Sequence, residues 1–220
     1  MHATLLTLVT SQADTRPLRV AERAGAVAFV AALTAVAAQI SIPLPFTPVP
    51  FTFQPMVVLV GSAALGARLG MTSQILYLAA GVAGIPVFAA SPVLPLGIGR
   101  LLGPTGGYLM AYPIAAFVSG WLAERRFDRR YITAVLAMTA GLGVIFTGGV
   151  TWLAFVVPPA PGMSAALAAG FLPFIAADLL KLLIGAGVMP SLWWLAGRGR
   201  VGDGDASHPV RSCGRTRAET

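Results

Sequence analysis

Long runs of apolar residues, separated by short polar or charged segments, dominate the pattern along this chain. A helix needs about 20 residues to cross the hydrocarbon core of a bilayer, and most of these runs approach that length. The runs predict six membrane-spanning helices, over residues 24–40, 55–65, 69–88, 107–122, 131–157 and 171–195. The predicted fold class is therefore all-α: a polytopic membrane protein formed by a bundle of six transmembrane helices.

Polar sequence flanks this apolar region at both ends. The pattern predicts a cytoplasmic N-terminal tail over residues 1–23, a six-helix membrane domain over residues 24–196 and a disordered cytoplasmic tail over residues 197–220. A cleaved signal peptide is not expected, because no basic segment precedes the mildly apolar residues 3–10.

The composition agrees with this pattern. Hydrophobic residues make up 56% of the chain and charged residues 10%, whereas a soluble domain carries charge on roughly a quarter of its residues. So few charges cannot cover a globule with a solvated surface, and the surface must therefore face the lipid bilayer. The net charge of +7 does not indicate a nucleic-acid partner, because the arginines form clusters between apolar runs rather than one basic face.

The basic residues also orient the helices. With a cytoplasmic N-terminus, six spans place all but two of the 15 lysine and arginine residues on the cytoplasmic side. The exceptions are Arg100, which falls outside, and Lys181, which falls within the membrane. Because cytoplasmic loops carry an excess of basic residues, we expect a multi-pass plasma-membrane protein with both termini in the cytoplasm.

Two charged residues lie inside the last predicted span. Asp178 and Lys181 are three residues apart, and on a helix this spacing places both on one face. A charge at mid-membrane costs about 2.5–3.5 kcal/mol on insertion scales, so the pair must face protein, water or a ligand. The two charges could form a salt bridge that only neutralises itself. They could instead bind a ligand with an anionic end and an N–H-bearing end.

The segment between the first two spans, residues 42–55, is uncharged but contains five prolines, which forbid a regular helix. In a membrane, irregular backbone persists only where protein buries it or a cavity wets it. We therefore expect this loop to fold over or into the bundle. Thr52 and Gln54, at its end, could hydrogen-bond the loop backbone or a ligand, and the first role is favoured.

Other candidates lie near the predicted outer surface. Arg100 could pair with a lipid phosphate or bind an anionic ligand group. The glycine-rich residues 103–107 could form a simple turn or allow close approach of a ligand or helix. Tyr108 could stack on a ligand ring or belong to the interfacial aromatic belt. The belt is also the favoured location of the tryptophans, Trp121, Trp152, Trp193 and Trp194.

The first span contains small residues at helical spacing, Ala28, Ala31, Ala32 and Ala35. Small side chains let helices approach closely, either inside the bundle or against a partner, with internal packing as the default. Either the pair Ala28 and Ala32 or the pair Ala31 and Ala35 could form such a contact face, and the sequence does not decide between them.

The chain shows no catalytic or metal-binding pattern. No glycine-rich phosphate loop precedes Lys181, no histidine lies within the predicted membrane domain, and Cys213 is the only cysteine. We therefore expect no catalytic residues, no metal and no cofactor. The alternative of a membrane enzyme that uses Asp178 as a base lacks a second catalytic group.

Three motifs in order carry a resemblance to a known family: residues 40–54, residues 102–109, and Pro173-Phe174 followed by residues 178–181. Together they resemble the BioY family, the biotin-specific S components of energy-coupling factor (ECF) vitamin transporters. The resemblance implies a six-helix bundle that captures biotin outside the cell as a transported ligand. It also implies partners, namely a transmembrane coupling protein and two ATPase subunits, with small residues of the first helix as the docking face.

The resemblance also implies roles for individual residues. Asp178 would accept the ureido N–H groups of biotin, and Lys181 would orient Asp178 or meet a ligand oxygen. Arg100 would bind the carboxylate, and an apolar wall would come from Phe51, Phe53 and Tyr108. An S component for a different small vitamin would have the same fold and partners.

Overall fold

The structure, a computed structural model, describes residues 4–6, 15–90, 95–158 and 160–202. Its helices are α1 (Arg16–Gln39), α2 (Gln54–Leu65), α3 (Ala67–Val82), α4 (Gly106–Glu124), α5 (Tyr131–Phe155), α6 (Met163–Gly170) and α7 (Leu172–Gly202). Two short strands, β1 (Ser41–Ile42) and β2 (Phe51–Thr52), and a 3-10 turn (Gly97–Arg100) lie in the connecting segments.

Six of these helices coincide with the six predicted spans, and the all-α fold class is confirmed. Three are long and apolar enough by themselves to cross a membrane: α1, α5 and the part of α7 over Leu172–Trp194. The short α6 was not predicted. It lies between the fifth and sixth predicted spans and packs on α5 and α7.

The ends of several elements differ from the prediction. Helix α1 already begins at Arg16, within the predicted tail, and α7 continues to Gly202, so residues 197–202 are helical rather than disordered. Residues 203–220 lie outside the described residues. Helix α3 ends at Val82 instead of residue 88, because Gly84 has a φ of +92° and Pro86 cannot continue a helix.

Helix α4 lies at the centre of the bundle, where it packs on α2, α3 and α5. Glycine makes the closest approach possible: a Cβ on Gly107 would lie 2.1 Å from the Cβ of Trp152 on α5. Helix α7, which carries the charged pair, packs on α2, α5 and α6. The charged pair is therefore inside the bundle rather than on its lipid-facing surface.

The proline-rich segment forms a hairpin. Strand β1 pairs with β2 in antiparallel register, with Ser41 opposite Thr52 and Ile42 opposite Phe51. No proline falls on a paired position, so the short ladder keeps its hydrogen-bond donors. The hairpin folds over the bundle as expected, because Val49 is buried and Thr47 Oγ1 donates to the Ala169 carbonyl of α6 at 2.7 Å.

Candidate ligand-binding site

A cavity of about 210 Å³ lies beneath the proline-rich hairpin, enclosed by helices α4, α5 and α7 and by residues 83–90, the segment after α3. Its wall is mostly apolar, with a few polar groups at separate points. The polar and aromatic members of the wall are Thr47, Thr52, Gln54, Phe88, Arg100, Thr105, Tyr108, Tyr112, Phe146, Phe174 and Asp178. An apolar cavity with a few fixed polar groups is typical of a small-molecule site.

The two charged residues occupy different positions relative to this wall. Asp178 lines the cavity and forms an ion pair with the ammonium group of Lys181. Lys181 Nζ also donates to the Thr52 carbonyl at 2.7 Å and lies 3.8 Å from the centre of the Phe51 ring. The ammonium group is therefore satisfied behind the wall. Asp178 is therefore the member of the pair that lines the cavity, and Lys181 neutralises and orients it.

Phe51 and Phe53 do not line the cavity, in contrast to the role that the resemblance implies. Their rings pack against the ammonium group of Lys181, whose Nζ is 3.8 Å from the centre of the Phe51 ring and 5.5 Å from that of the Phe53 ring. The reason is the alternation of side chains at a strand, which sends neighbouring residues to opposite faces. Thr52, between the two phenylalanines, lines the cavity instead.

Thr52 and Gln54, for which the sequence left a bond to the loop backbone or to a ligand open, belong to the cavity wall. Both line the cavity and both are buried. The Thr52 hydroxyl donates to Gln54 Oε1 at 3.3 Å, and Gln54 Nε2 donates to the Tyr77 hydroxyl at 2.6 Å. Their side chains are thus fixed by partners inside the protein while they form part of the wall.

Arg100 brings a positive charge to the same cavity. Its side chain is buried rather than exposed to lipid headgroups, and it lines the wall. The guanidinium donates from Nε to the Pro95 carbonyl at 3.2 Å and from Nη1 to the Ala89 carbonyl at 2.7 Å. These hydrogen bonds orient the guanidinium at the cavity wall, and a guanidinium is a group that pairs well with a carboxylate.

Tyr108 lies in the cavity wall and not in an interfacial belt, since it is only 8% exposed. Its hydroxyl donates to the Gly170 carbonyl at 2.7 Å, and its ring packs edge-on against Phe146. Glycine is needed at position 149, where a Cβ would lie 2.2 Å from the Tyr108 ring. The tyrosine is therefore held rigidly by its neighbours.

The glycine-rich run before Tyr108 serves helix packing. A Cβ on Gly106 would lie 1.7 Å from the Leu101 carbonyl oxygen. Trp152, for which the aromatic belt was the favoured location, is partly buried and donates from Nε1 to the Gly103 carbonyl at 3.0 Å, which fixes this turn against α5.

Several wall residues were not predicted, among them Tyr112, Phe146 and Phe174. An aromatic residue within an apolar span gives no sign in the sequence of whether it faces lipid or a cavity. One signal was available for Tyr112, which follows Tyr108 by four residues and so lies on the same helix face.

The structure also separates the two alanine pairs of α1. Ala28 and Ala32 are exposed, whereas Ala31 is buried and Ala35 packs against the hydrophobic core. Only the first pair is available on the outer face of the helix.

Comparison with known proteins agrees with this fold. The family model described as "BioY family" matches residues 9–198. A relative from Pyrococcus horikoshii, named a probable biotin transporter BioY, is 42% identical over 161 residues, which cover 73% of this chain and 90% of that relative. The biotin transporter BioY of Thermotoga maritima is 41% identical over 155 residues, which cover 70% of this chain and 86% of that protein.

A solved structure shows the same architecture. A crystal structure of the S-component for biotin from an ECF-type ABC transporter superposes with a TM-score of 0.71 at 25% sequence identity. The match covers 82% of this chain and 94% of that one. By its sequence and its fold, this chain belongs to the BioY family.

Proposed function

We propose that this chain is the S subunit of a biotin uptake system, which binds biotin outside the cell and carries it across the membrane. One observation within the structure carries the proposal: a single apolar cavity presents the carboxylate of Asp178 and the guanidinium of Arg100 on its wall. Family membership and the names of the similar proteins point to the same ligand. The family is one of transporters, and the chain is not an enzyme.

The chemistry of biotin matches the groups on the wall. Its ureido ring carries two N–H donors, which the Asp178 carboxylate accepts. Its carboxylate pairs with Arg100, in a charge-assisted hydrogen bond. The apolar body between the two ends lies against Tyr108 and the other aromatic residues of the wall, while Thr52 and Gln54 supply further polar contacts. Biotin is thus the transported ligand and not a cofactor.

The orientation follows from the basic residues. With both termini in the cytoplasm and six crossings of the plasma membrane, the proline-rich hairpin and the segment after α3 lie outside the cell. These are the two segments that cover the cavity. The ligand would therefore enter from the outside, as uptake requires.

The transport step requires a source of energy, which we assign to an ECF module formed by a transmembrane coupling protein and two ATPase subunits. The exposed pair Ala28 and Ala32 supports a docking face on α1, since small side chains allow close approach of another helix. Ala31 and Ala35 pack inside the bundle and are not part of this face.

Equilibrium binding of labelled biotin to the purified, folded protein tests the proposal. We expect Asp178→Asn to weaken binding by about 1–3 kcal/mol, because a hydrogen bond to a charged acceptor is lost. Asp128→Asn is the matched control, since it changes a buried aspartate that does not line the cavity. Affinity no better than millimolar for the unaltered protein would refute the biotin assignment. Displacement of biotin by another vitamin at lower concentration would favour an S component for that vitamin.

A further inference from the structure

A buried chain of hydrogen bonds crosses from the proline-rich hairpin to the segment after α3. It starts at the Thr52 hydroxyl, which donates to Gln54 Oε1 at 3.3 Å, and continues from Gln54 Nε2 to the Tyr77 hydroxyl at 2.6 Å. The Tyr77 hydroxyl donates in turn to the Val87 carbonyl at 3.2 Å. We call these four residues, Thr52, Gln54, Tyr77 and Val87, the polar relay.

One end of the polar relay lines the ligand cavity and the other end, Val87, lies next to a residue that lines it, whereas Tyr77 is not part of the wall. Thr52 and Gln54 line the cavity on the hairpin side, and Phe88, next to Val87, lines it on the other side. Tyr77 is 1% exposed and packs edge-on against the Phe88 ring, with 5.4 Å between ring centres. The tyrosine therefore lies behind the wall, where it contacts the segment after α3 directly and reaches the hairpin through Gln54, the first residue of α2.

The polar relay also joins the charged pair. The carbonyl of Thr52 accepts the hydrogen bond from Lys181 Nζ, and Lys181 holds Asp178 at the cavity wall. A continuous path of polar contacts thus runs from the segment after α3, through Tyr77 and the hairpin, to the carboxylate that faces the ligand.

Space around the relay is limited. A Cβ on Gly81 would lie 2.0 Å from the Phe88 ring, so this ring fills the space beside α3. Tyr77 is buried behind the cavity wall, so its hydroxyl finds no water to replace a partner that it loses. Movement of one covering segment would therefore leave polar groups of the other segment unsatisfied.

We propose that Tyr77 is a positioning residue, which couples the proline-rich hairpin to the segment after α3 so that both close over biotin together. This inference rests on the proposed function. The phenol does not contact the ligand: it acts by holding the Gln54 side chain and the Val87 backbone in the geometry that the bound state needs. Loss of its hydroxyl shortens the residence of biotin, because each covering segment then opens without the other.

The test compares Tyr77→Phe with Tyr131→Phe. Each variant removes a tyrosine hydroxyl that donates to a backbone carbonyl, and the Tyr131 hydroxyl does so to Leu183 at 3.2 Å, outside the relay. We expect Tyr77→Phe to raise the Kd and the dissociation rate of labelled biotin by about five- to thirtyfold, the effect of one lost buried hydrogen bond. Tyr131→Phe should change neither by more than about twofold.

A double-mutant cycle distinguishes positioning from general stability. In a Gln54→Leu background the relay is already broken, so adding Tyr77→Phe should weaken binding by no more than about a further twofold. The melting temperature of ligand-free Tyr77→Phe should fall more than that of Tyr131→Phe, because the Tyr77 hydroxyl is buried with two hydrogen-bond partners and Tyr131 is 47% exposed. The non-additivity of the cycle, rather than the melting temperature, therefore tests positioning. Additive losses of affinity in the cycle, or equal Kd values for these two tyrosine variants, would overturn the inference.

Amide hydrogen exchange on the unaltered protein gives a second test that requires no variant. Biotin should protect residues 43–53 and residues 83–90 together, and protection of only one segment would contradict the coupling. If the unaltered protein does not bind biotin, both the proposed function and this inference fail. If it binds biotin but Tyr77→Phe binds equally well, only this inference fails.

Discussion

Two aspartates are buried among the described residues, and they lie near opposite ends of helix α7. Asp178 on α7 is 7% exposed, has the ammonium group of Lys181 as its partner and lines the ligand cavity. Asp128 lies in the connection between α4 and α5 and is 2% exposed. Its Oδ2 accepts a hydrogen bond from Trp193 Nε1 near the other end of α7, at 2.6 Å.

The surroundings of Asp128 show a structural role. Its Oδ1 has no hydrogen-bond partner among the described residues, and the residue is not part of the cavity wall that those residues form. The guanidinium of Arg129 stacks over the Trp193 ring at 4.0 Å. The connection between α4 and α5 thus holds Trp193 from two sides. Trp193, for which the sequence favoured an aromatic belt, thus has its N–H bound to this loop.

The comparison of Asp178 with Asp128 shows that burial alone does not identify a carboxylate that binds a ligand. At Asp178 a full opposite charge neutralises the group, and a cavity leaves room for a ligand. At Asp128 an indole N–H supplies one bond and protein fills the remaining space. We therefore expect changes around Asp178 to alter both stability and binding, and changes around Asp128 to alter stability alone.

The largest effect is expected for Lys181→Met. Removal of the ammonium group leaves the Asp178 carboxylate buried without its counter-charge, and breaking a buried pair in this way costs about 3–5 kcal/mol. We expect that loss in the free energy of unfolding, together with loss of detectable biotin binding. Chemical denaturation in detergent and labelled-biotin binding measure the two effects.

The double variant Asp178→Leu/Lys181→Met sharpens this result. Replacing both partners of a buried ion pair with apolar residues is often neutral for stability. We expect the double variant to regain most of the lost stability but no biotin binding. Recovery of binding would mean that the pair is only structural, and the contrast with Asp128 would disappear.

A smaller effect is expected for Trp193→Phe. The Asp128 carboxylate then loses its indole donor, and an unsatisfied buried group of this kind costs about 1–3 kcal/mol. Trp194→Phe is the matched control, since Trp194 is 57% exposed and should matter less. Denaturation should show the difference, while the Kd for biotin stays within about twofold of the unaltered protein. A marked loss of biotin affinity in Trp193→Phe would show that both ends of α7 contribute to the site.

The smallest effect concerns pH. Burial raises the pKa of the Asp128 carboxyl above its ordinary value of 3.8, while the hydrogen bond from Trp193 and the charge of Arg129 act in the opposite direction. A raised pKa in the folded state means that folding favours the protonated acid. The stability contributed by Asp128 is therefore fully present below about pH 4 and is lost as the pH rises through the raised pKa.

The variant Asp128→Asn isolates this contribution, because it cannot titrate. We expect the melting temperature of the unaltered protein, relative to that of Asp128→Asn, to be highest at the acidic end and to decline as the pH rises. A relative melting temperature that increases with pH would show that hydrogen bonding and charge, rather than burial, dominate at Asp128.

The sequence by itself determined the membrane-spanning character, the positions of six helices and the placement of Asp178 and Lys181 on one helix face. These features depend on local properties, namely the length of apolar runs, the distribution of arginines and the periodicity of a helix. The motifs around Arg100, Tyr108 and Gln54 also marked the region of the cavity correctly, since all three line it.

Only the tertiary structure decided which side chains face the cavity. Thr52 lines the cavity, whereas Phe51 and Phe53 pack against Lys181. On α1, Ala28 is exposed and Ala31 is buried. Asp128 accepts a hydrogen bond from Trp193 on α7. These relations join residues that are distant in sequence, or depend on how a helix is rotated against its neighbours. Apolar residues that face lipid and those that face the bundle have the same composition, so the sequence contains no local signal to separate them.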